Sequence, residues 1–325
     1  MEFHCGIDVG KHKLQACLIW IKGKRRNKSV ANTPAGRRTL YQWLERHLQG
    51  RLDTLQAILE PTAHYHEALA EELVELGVRV ATPNPKQVKK FAEGLGFESK
   101  ADRQDAFVLA RMGESRELAA YTPPAPEVKA LQALLARLEA VEKDAQRESN
   151  RLEHALTAQA PQDVLDSIRN SLAFLEAERR RLERMIDEHI DRHPPLKGDR
   201  ELLESIRGIS AKSSREMLSI IHRHPFDRAK QVASYVGVHP KVFESGTSKE
   251  LPPCMSKMGS GRVRAKLYMA AVSAIQHNPD VRAFYQRLRS RGKAKMAALG
   301  AAMRKLVHIC FGVIKHQTPY TPQIA

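Results

Sequence analysis

Apolar residues fall into short runs over the first 80 positions and into long helical stripes beyond position 126. The opening run predicts a strand from Phe3 to Asp8, a turn at Gly10 to Lys13, and a second strand from Leu14 to Ile21. In that second strand Leu14, Ala16, Leu18 and Trp20 share one face, and Gln15, Cys17, Ile19 and Ile21 share the other. Both faces are largely apolar, which predicts burial on both sides. The basic segment Lys22 to Arg26 reads as a hairpin tip, with a third strand at Ser29 to Ala31. Leu40, Leu44 and Leu48 at helical spacing predict a helix from Pro34 to Leu48. Thr54 to Leu59 reads as a buried strand ending at Glu60, His66 to Leu76 as a helix stopped by Gly77, and Val78 to Ala81 as a further strand. A last helix opens at Lys100-Ala101-Asp102-Arg103-Gln104-Asp105-Ala106 and continues through Phe107, Leu109, Ala110 and Met112. Strands first, then strand-helix alternation with acids at strand ends, is the order of an RNase H-like α/β domain, although an ordinary α/β domain with incidental acids gives the same pattern.

Tyr121 to Pro126 is a linker by composition, and beyond it the chain is rich in Leu, Glu and Arg. One helix is predicted from Val128 to Ala158 and, after Pro161, another to Ile190. In the second, Leu165, Ile168, Leu172, Leu175, Leu182 and Ile186 follow a heptad interrupted by Arg179. An antiparallel helical hairpin or coiled coil, serving spacing and self-association, is the simplest reading. After His193-Pro194-Pro195, the turn at Leu203 to Ser210 before helical Met217 to Ile221 resembles a helix-hairpin-helix, a fold element that meets DNA phosphates, but the lone pattern is weak and a plain helix-helix turn is the favoured reading.

Charge narrows the function. Fifty-three Lys and Arg stand against 37 Asp and Glu, a surplus of +16 with a pI near 9.8. Such a surplus predicts a polyanionic partner, nucleic acid first among them. Aromatic content of 6% argues against a base-stacking, single-strand-binding platform. Basic residues gather in the tail from Arg262 to Lys295, beside Gly259 and Gly261, which favours a surface that tracks phosphates. Cys5, Cys17, Cys254 and Cys310 have no paired spacing and fit reduced thiols rather than disulfides or zinc. No N-terminal run suits a signal peptide and no run suits a membrane span, so a cytoplasmic protein without a membrane partner is expected.

The candidate chemistry is acidic. Asp8 and Glu60 each close a strand-like apolar run, and Asp102 and Asp105 lie three apart on one helix face. For the helical pair alone, the preference of a helix N-terminus for anions is sufficient. Four carboxylates from two strands and one helix form a candidate set for divalent cations, because hard oxygen ligands suit magnesium. His64 and His66 follow shortly after Glu60 as conceivable further ligands, with a surface role favoured.

These residues resemble the transposases of insertion-sequence family 110, the DEDD transposases, which are related to the Piv DNA invertase. The resemblance covers nearly the whole chain: Gly-Ile-Asp at Gly6 to Asp8, Glu60, Lys-x-Asp-x-x-Asp-Ala at Lys100 to Ala106, Gly-x-x-Pro at Gly237 to Pro240, Glu-Ser-Gly at Glu244 to Gly246, and Ser-Lys-x-Gly at Ser256 to Gly259. It implies an α/β RNase H-like (RuvC-like) catalytic domain at 1–122, a linker and α-helical coiled-coil arm at 123–195, and a mainly α-helical C-terminal transposase domain at 196–325. It also implies a metal-binding tetrad of Asp8, Glu60, Asp102 and Asp105 holding Mg2+ or Mn2+, and a nucleophilic serine at Ser245. The partners it implies are double-stranded donor and target DNA, a structured noncoding bridge RNA, and further copies of the chain in a dimer or tetramer. One departure is Glu60-Pro61-Thr62-Ala63, where relatives usually carry Glu-Ala-Thr-Gly.

A serine hydroxyl needs a base, a metal or a polarised phosphate to act as a nucleophile, and the tetrad's metal is the expected source of activation. Ser245-Gly246 by itself reads as an ordinary turn, and Thr247 and Ser248 are neighbouring hydroxyls. Asp8 and Ser245 fall in different predicted domains, so they meet by domain docking or across subunits. Three rivals remain in sequence terms. A RuvC-like hydrolytic junction endonuclease would use the same acids with water and leave Ser245 idle. A sugar-kinase or actin-like ATPase also begins with a Gly-Ile-Asp-Val-Gly run, but no second glycine-rich phosphate loop follows. A non-enzymatic DNA scaffold leaves the placed acids unexplained.

Overall fold

The computed structural model describes residues 3–20, 24–61, 64–97, 102–245 and 249–323. The chain divides into two compact units, Met1–Pro123 and Pro124–Ala325.

The first unit is a mixed sheet with helices on both faces. Strands β1 (Phe3–Val9), β2 (Lys13–Trp20) and β3 (Lys24–Ala31) form an antiparallel meander, while β4 (Leu55–Leu59) and β5 (Arg79–Ala81) run parallel to β1, giving the order β3-β2-β1-β4-β5. Helices α1 (Pro34–Leu48) and α2 (Glu67–Glu75) bury Leu40, Leu44, Leu48, Leu69 and Leu73 against Ile7, Leu14, Leu18 and Leu59. The opposite face is covered by α4 (Asp102–Ser115), which buries Ala106, Leu109, Ala110 and Met112 near Cys17, Ile19 and Ile58. Helices on both faces explain why β2 is apolar on both. The strand ends and α1 follow the sequence expectation closely. Two things differ. Lys24 to Arg26 are not a tip but the start of β3, an exposed edge strand whose polar residues need bury nothing. A helix α3 (Pro85–Gly94) follows β5, capped by Asn84 and started by Pro85, and it went unpredicted because Val88 is its one buried residue.

A polar clip joins α1 to α2. Arg37 donates to both carboxylate oxygens of Glu72 (Nε to Oε2 2.9 Å, Nη2 to Oε1 2.7 Å), and Tyr41 donates its hydroxyl to Oε2 at 2.6 Å. The Arg37 hydrogen bonds hold the Glu72 carboxyl below its ordinary value. A depressed carboxylate pKa contributes stability above about pH 4.3, and that stability fades as pH falls through the lowered folded value. Glu72→Gln is therefore expected to cost about 1 kcal/mol at pH 7, since the pair is partly solvated. The cost should vanish in strong acid, as read by thermal melts from pH 7 to pH 2. An equal cost at every pH would rule out the ionic origin.

The second unit is largely helical. Helices α5 (Pro126–Thr157) and α6 (Gln162–Arg192) form an antiparallel hairpin, with His189 Nε2 at 2.8 Å from the carbonyl of Glu127 where the two meet at the base. There Leu131, Leu135, Leu138, Leu182, Ile186 and Ile190 join one core with the helices that follow. Arg179, the break in the heptad, pairs within its own helix with Glu176 and Glu183. Leu156, Val164 and Phe174 are exposed toward the hairpin tip. Next come α7 (Pro194–Glu204), α8 (Ala211–Arg223) and α9 (Ala229–Val236), then a two-stranded antiparallel hairpin of β6 (Pro240–Ser245) and β7 (Lys249–Met255), and finally α10 (Gly261–His277), α11 (Pro279–Ser290) and α12 (Lys295–His316). The α7-α8 connection turns at Gly208, which has φ +102°, and its second helix is capped by the Ser210-Ser213 box. Among the described residues α12 is the one helix long and apolar enough to cross a membrane, but it buries Leu306, Val307, Cys310 and Phe311 in the core of the unit.

Candidate active site

Alternation along β1 decides where Asp8 points. Cys5, Ile7 and Val9 face the α1-α2 core, so Gly6 and Asp8 face α4. The same holds on β4, where Leu55, Ala57 and Leu59 face α1-α2, while Ile58 and then Glu60 turn to the other side. The parallel register pairs Ile7 with Leu59, and the Glu60 amide donates to the Ile7 carbonyl at 3.4 Å. Asp8 and Glu60 are thus neighbours at adjacent strand ends on one face.

Helix α4 carries the third candidate carboxylate, and Gly6 is the reason the helix lies so close to β1. A Cβ on Gly6 would stand 2.0 Å from the Ala106 carbonyl oxygen and 2.4 Å from the Ala110 amide, so the helix backbone rests directly on the strand. Only glycine permits that approach. It places Asp105, the residue before Ala106, over the strand that carries Asp8. Asp105 and Glu60 also line one cleft of about 670 Å³, walled by Pro85, Lys86 and Val108. The wall comes partly from α3, the helix that sequence reasoning missed; the Asn84-Pro85 cap was the signal that would have found it.

Asp102 is the first residue of α4, one turn before Asp105, and its side chain lies outside the described residues, as do Lys100 and Ala101 of the same motif and Thr62-Ala63 after Glu60. Among the described residues no group of three or more His, Cys, Asp or Glu is close enough to hold a metal ion. His64 is 88% exposed with Nδ1 at 3.2 Å from Glu67, whereas His66 is buried at the start of α2.

Ser245 is the last residue of β6, and its backbone pairs with Lys249 across the hairpin. Gly246, Thr247 and Ser248, and the side chains of 242–253, lie outside the described residues. The two flanking motifs prove structural. Gly237 ends α9 at φ +80°, and a Cβ there would meet the Gly259 amide at 2.6 Å. Lys257 donates to the Gly237 carbonyl and Ser256 to the His239 carbonyl, at 3.1 and 2.9 Å, so Gly237–Pro240 and Ser256–Gly259 close the root of the hairpin. Asp8, Glu60 and Asp105 belong to the first unit and Ser245 to the second.

Sheet order β3-β2-β1-β4-β5, with carboxylates at the ends of β1 and β4 under a helix bearing another, defines an α/β unit of the RNase H-like class. The profile of the IS110 DEDD transposase, described as "Transposase", matches residues 5–161, and that of the "Transposase IS116/IS110/IS902 family" matches residues 200–286. The pilin gene-inverting protein of Moraxella lacunata is 30% identical over 323 residues, covering 99% of this chain and 98% of that protein, and its Moraxella bovis counterpart shows the same values. The Streptomyces coelicolor insertion element IS110 uncharacterized 43.6 kDa protein is 28% identical over 160 residues, 48% of this chain and 38% of that one. Thermus thermophilus RuvC is 20% identical, covering 33% of this chain and 90% of its own, at a TM-score of 0.25 that adds nothing to the strand order. The chain belongs to the IS110 family of transposases, a family of DNA-recombining enzymes.

Proposed function

We propose that the chain is the recombinase of an insertion sequence, which cuts and rejoins donor and target DNA through a phosphoserine link at Ser245, guided by a structured bridge RNA and working in the cytoplasm as a dimer or tetramer. The observation that carries this reading is that Asp8 and Glu60 end adjacent strands on the face of the sheet that α4 covers, with Asp105 on that helix and Asp102 one turn before it. Carboxylate oxygens are the donors that Mg2+ or Mn2+ prefers, so the chemistry of the four residues suits a hard divalent cation, which would have to draw their side chains together. When bound, such a cation supplies polarisation of the scissile phosphate and neutralises charge in the transition state. Asp8, Glu60, Asp102 and Asp105 would hold it. In the reaction a bond forms from Ser245 Oγ to phosphorus, the phosphorus bond to one deoxyribose oxygen breaks, the serine gives up its proton, and the departing oxygen takes one. Attack by a different DNA hydroxyl reverses the steps and joins a new pair of ends, which conserves the ester that hydrolysis would lose. The full-length relatives named for inverting a gene fit this chemistry, since inversion requires rejoining.

In this reading residues 123–195 form a coiled-coil arm that spaces and joins subunits, between a catalytic domain at 1–122 and a transposase domain at 196–325. Ser245 and the carboxylates then meet by docking of the units or across subunits. A second reading, hydrolysis of DNA junctions with water as the nucleophile, has in its favour that Asp8, Glu60 and Asp105 belong to one unit without Ser245.

The test is a denaturing gel of the unaltered protein with cognate DNA and the RNA encoded beside the gene. A protein-DNA adduct that survives denaturation, forms with magnesium and fails to form with a chelator is the expected result. Nicked DNA with no adduct at any time would give the site to hydrolysis.

A further inference from the structure

Between Asp8 and Glu45 the chain contains no Asp or Glu but nine Lys and Arg, more than half of the whole protein's surplus of +16. The fold puts much of this segment on one border of the sheet. Lys24, Arg26 and Lys28 pair with Trp20, Leu18 and Ala16 of β2, so the three side chains stand in one row on the α1 side, spaced by about 6.8 Å. Lys24 and Arg26 are exposed and Lys28 partly so. On the other side of the strand Arg25 caps the Phe107 ring at 5.2 Å. At its far end Asn32 donates to the Gly10 carbonyl at 3.0 Å, so β3 finishes against the turn that follows Asp8.

We propose that the exposed edge of β3 is a docking surface for the phosphate backbone of double-stranded DNA, ending beside the turn that follows Asp8. The choice of DNA rests on the recombinase reading above and on charge: a run of cations with no acid between Asp8 and Glu45 suits a phosphate backbone. Because the row lies on the α1 face while Asp8 and Glu60 face α4, it holds the duplex without itself presenting the strand to be cut. From Lys24 to Ala31 the strand is about 24 Å long, which matches about seven base-pair steps at about 3.4 Å each. No base edge is engaged by such a row, so binding is independent of sequence and places the duplex without selecting it. The competing explanation is that the cations merely keep a bare sheet edge from pairing with other chains.

The experiment uses the full-length protein in a chelator, without guide RNA, with a fluorescent non-cognate duplex as probe across a salt series. The triple variant Lys24→Gln, Arg26→Gln, Lys28→Gln is compared with Lys143→Gln, Arg147→Gln, Arg151→Gln, which removes the same charge from α5, where each cation already pairs with an acid of its own helix. The β3 variant is expected to bind about tenfold or more weakly and to lose about 2 to 3 from the slope of log affinity against log salt, at about 0.9 per contact. The α5 control should keep the slope, and both variants should melt as the unaltered protein does. An unchanged slope in the β3 variant overturns the proposal. So does an equal loss in both variants, a loss confined to a structured-RNA probe, or self-association of the β3 variant with DNA binding intact, which would make the cations edge protection. Because the assay excludes metal and cutting, a missing adduct in the gel assay would sink the recombinase chemistry and leave this result standing.

Discussion

Ser245→Ala is expected to bind DNA and melt like the unaltered protein while losing the covalent adduct and at least about a thousandfold of joined product. The size follows from chemistry: with the hydroxyl gone there is no atom to form the bond to phosphorus, and a missing nucleophile is not replaced by its neighbours' positioning. Folding should be spared because the substitution keeps the backbone pairing of residue 245 with Lys249, and the root of the hairpin is closed by residues 237–240 and 256–259. Asp105→Asn is expected to lose the adduct as well, and the double variant to be no worse than either alone, as befits groups acting in one step. Quantifying adduct and joined DNA on the same denaturing gel separates the cases. Strand cleavage that persists at full rate in Ser245→Ala would remove the serine from the mechanism.

Gly6→Val should have the largest effect on stability. A Cβ at this position already overlaps the Ala106 carbonyl at 2.0 Å and the Ala110 amide at 2.4 Å, and both obstacles are helix backbone rather than side chains able to swing away. Overpacking a core costs about 1 to 3 kcal/mol when side chains can yield, so about 3 kcal/mol or more is expected here. Any folded fraction would have α4 displaced, and with it Asp105 from Asp8, so activity should fall further than the folded population does. Denaturant unfolding of the first unit, read beside the adduct yield, checks both parts. Native stability in Gly6→Val would mean that α4 does not rest on β1.

Much of this was legible in the chain. Alternation gave the two buried faces of β2 because helices cover both, and leucines at helical spacing gave α1 because its core contact repeats at each turn. Asp8 and Glu60 could be placed at strand ends because an apolar run that stops at an acid marks where a sheet meets solvent. What could not be read was polar structure held by position rather than burial. β3 is strand because β2 offers it a ladder, not because Lys24, Arg25 or Asn27 favour one, and β7 carries Pro252 and Pro253, which discourage a strand on sight but are tolerated in a two-stranded hairpin. The sequence likewise gave Gly6 as part of a motif without its reason, since the helix that needs it lies 100 residues further on. The serine was legible only through resemblance, because Ser-Gly at the end of a strand is also what a turn looks like.

The α5-α6 hairpin limits how such a chain can drift. At about 1.5 Å per residue the 32-residue α5 reaches about 48 Å, and each residue gained or lost turns everything beyond it by about 100°. A single-residue deletion in one helix therefore throws the partner faces out of phase, whereas about seven residues taken from both helices shorten the hairpin by about 10 Å with the seam intact. Reach in this hairpin is quantised, and lineages that change it should differ by matched heptads on its two limbs.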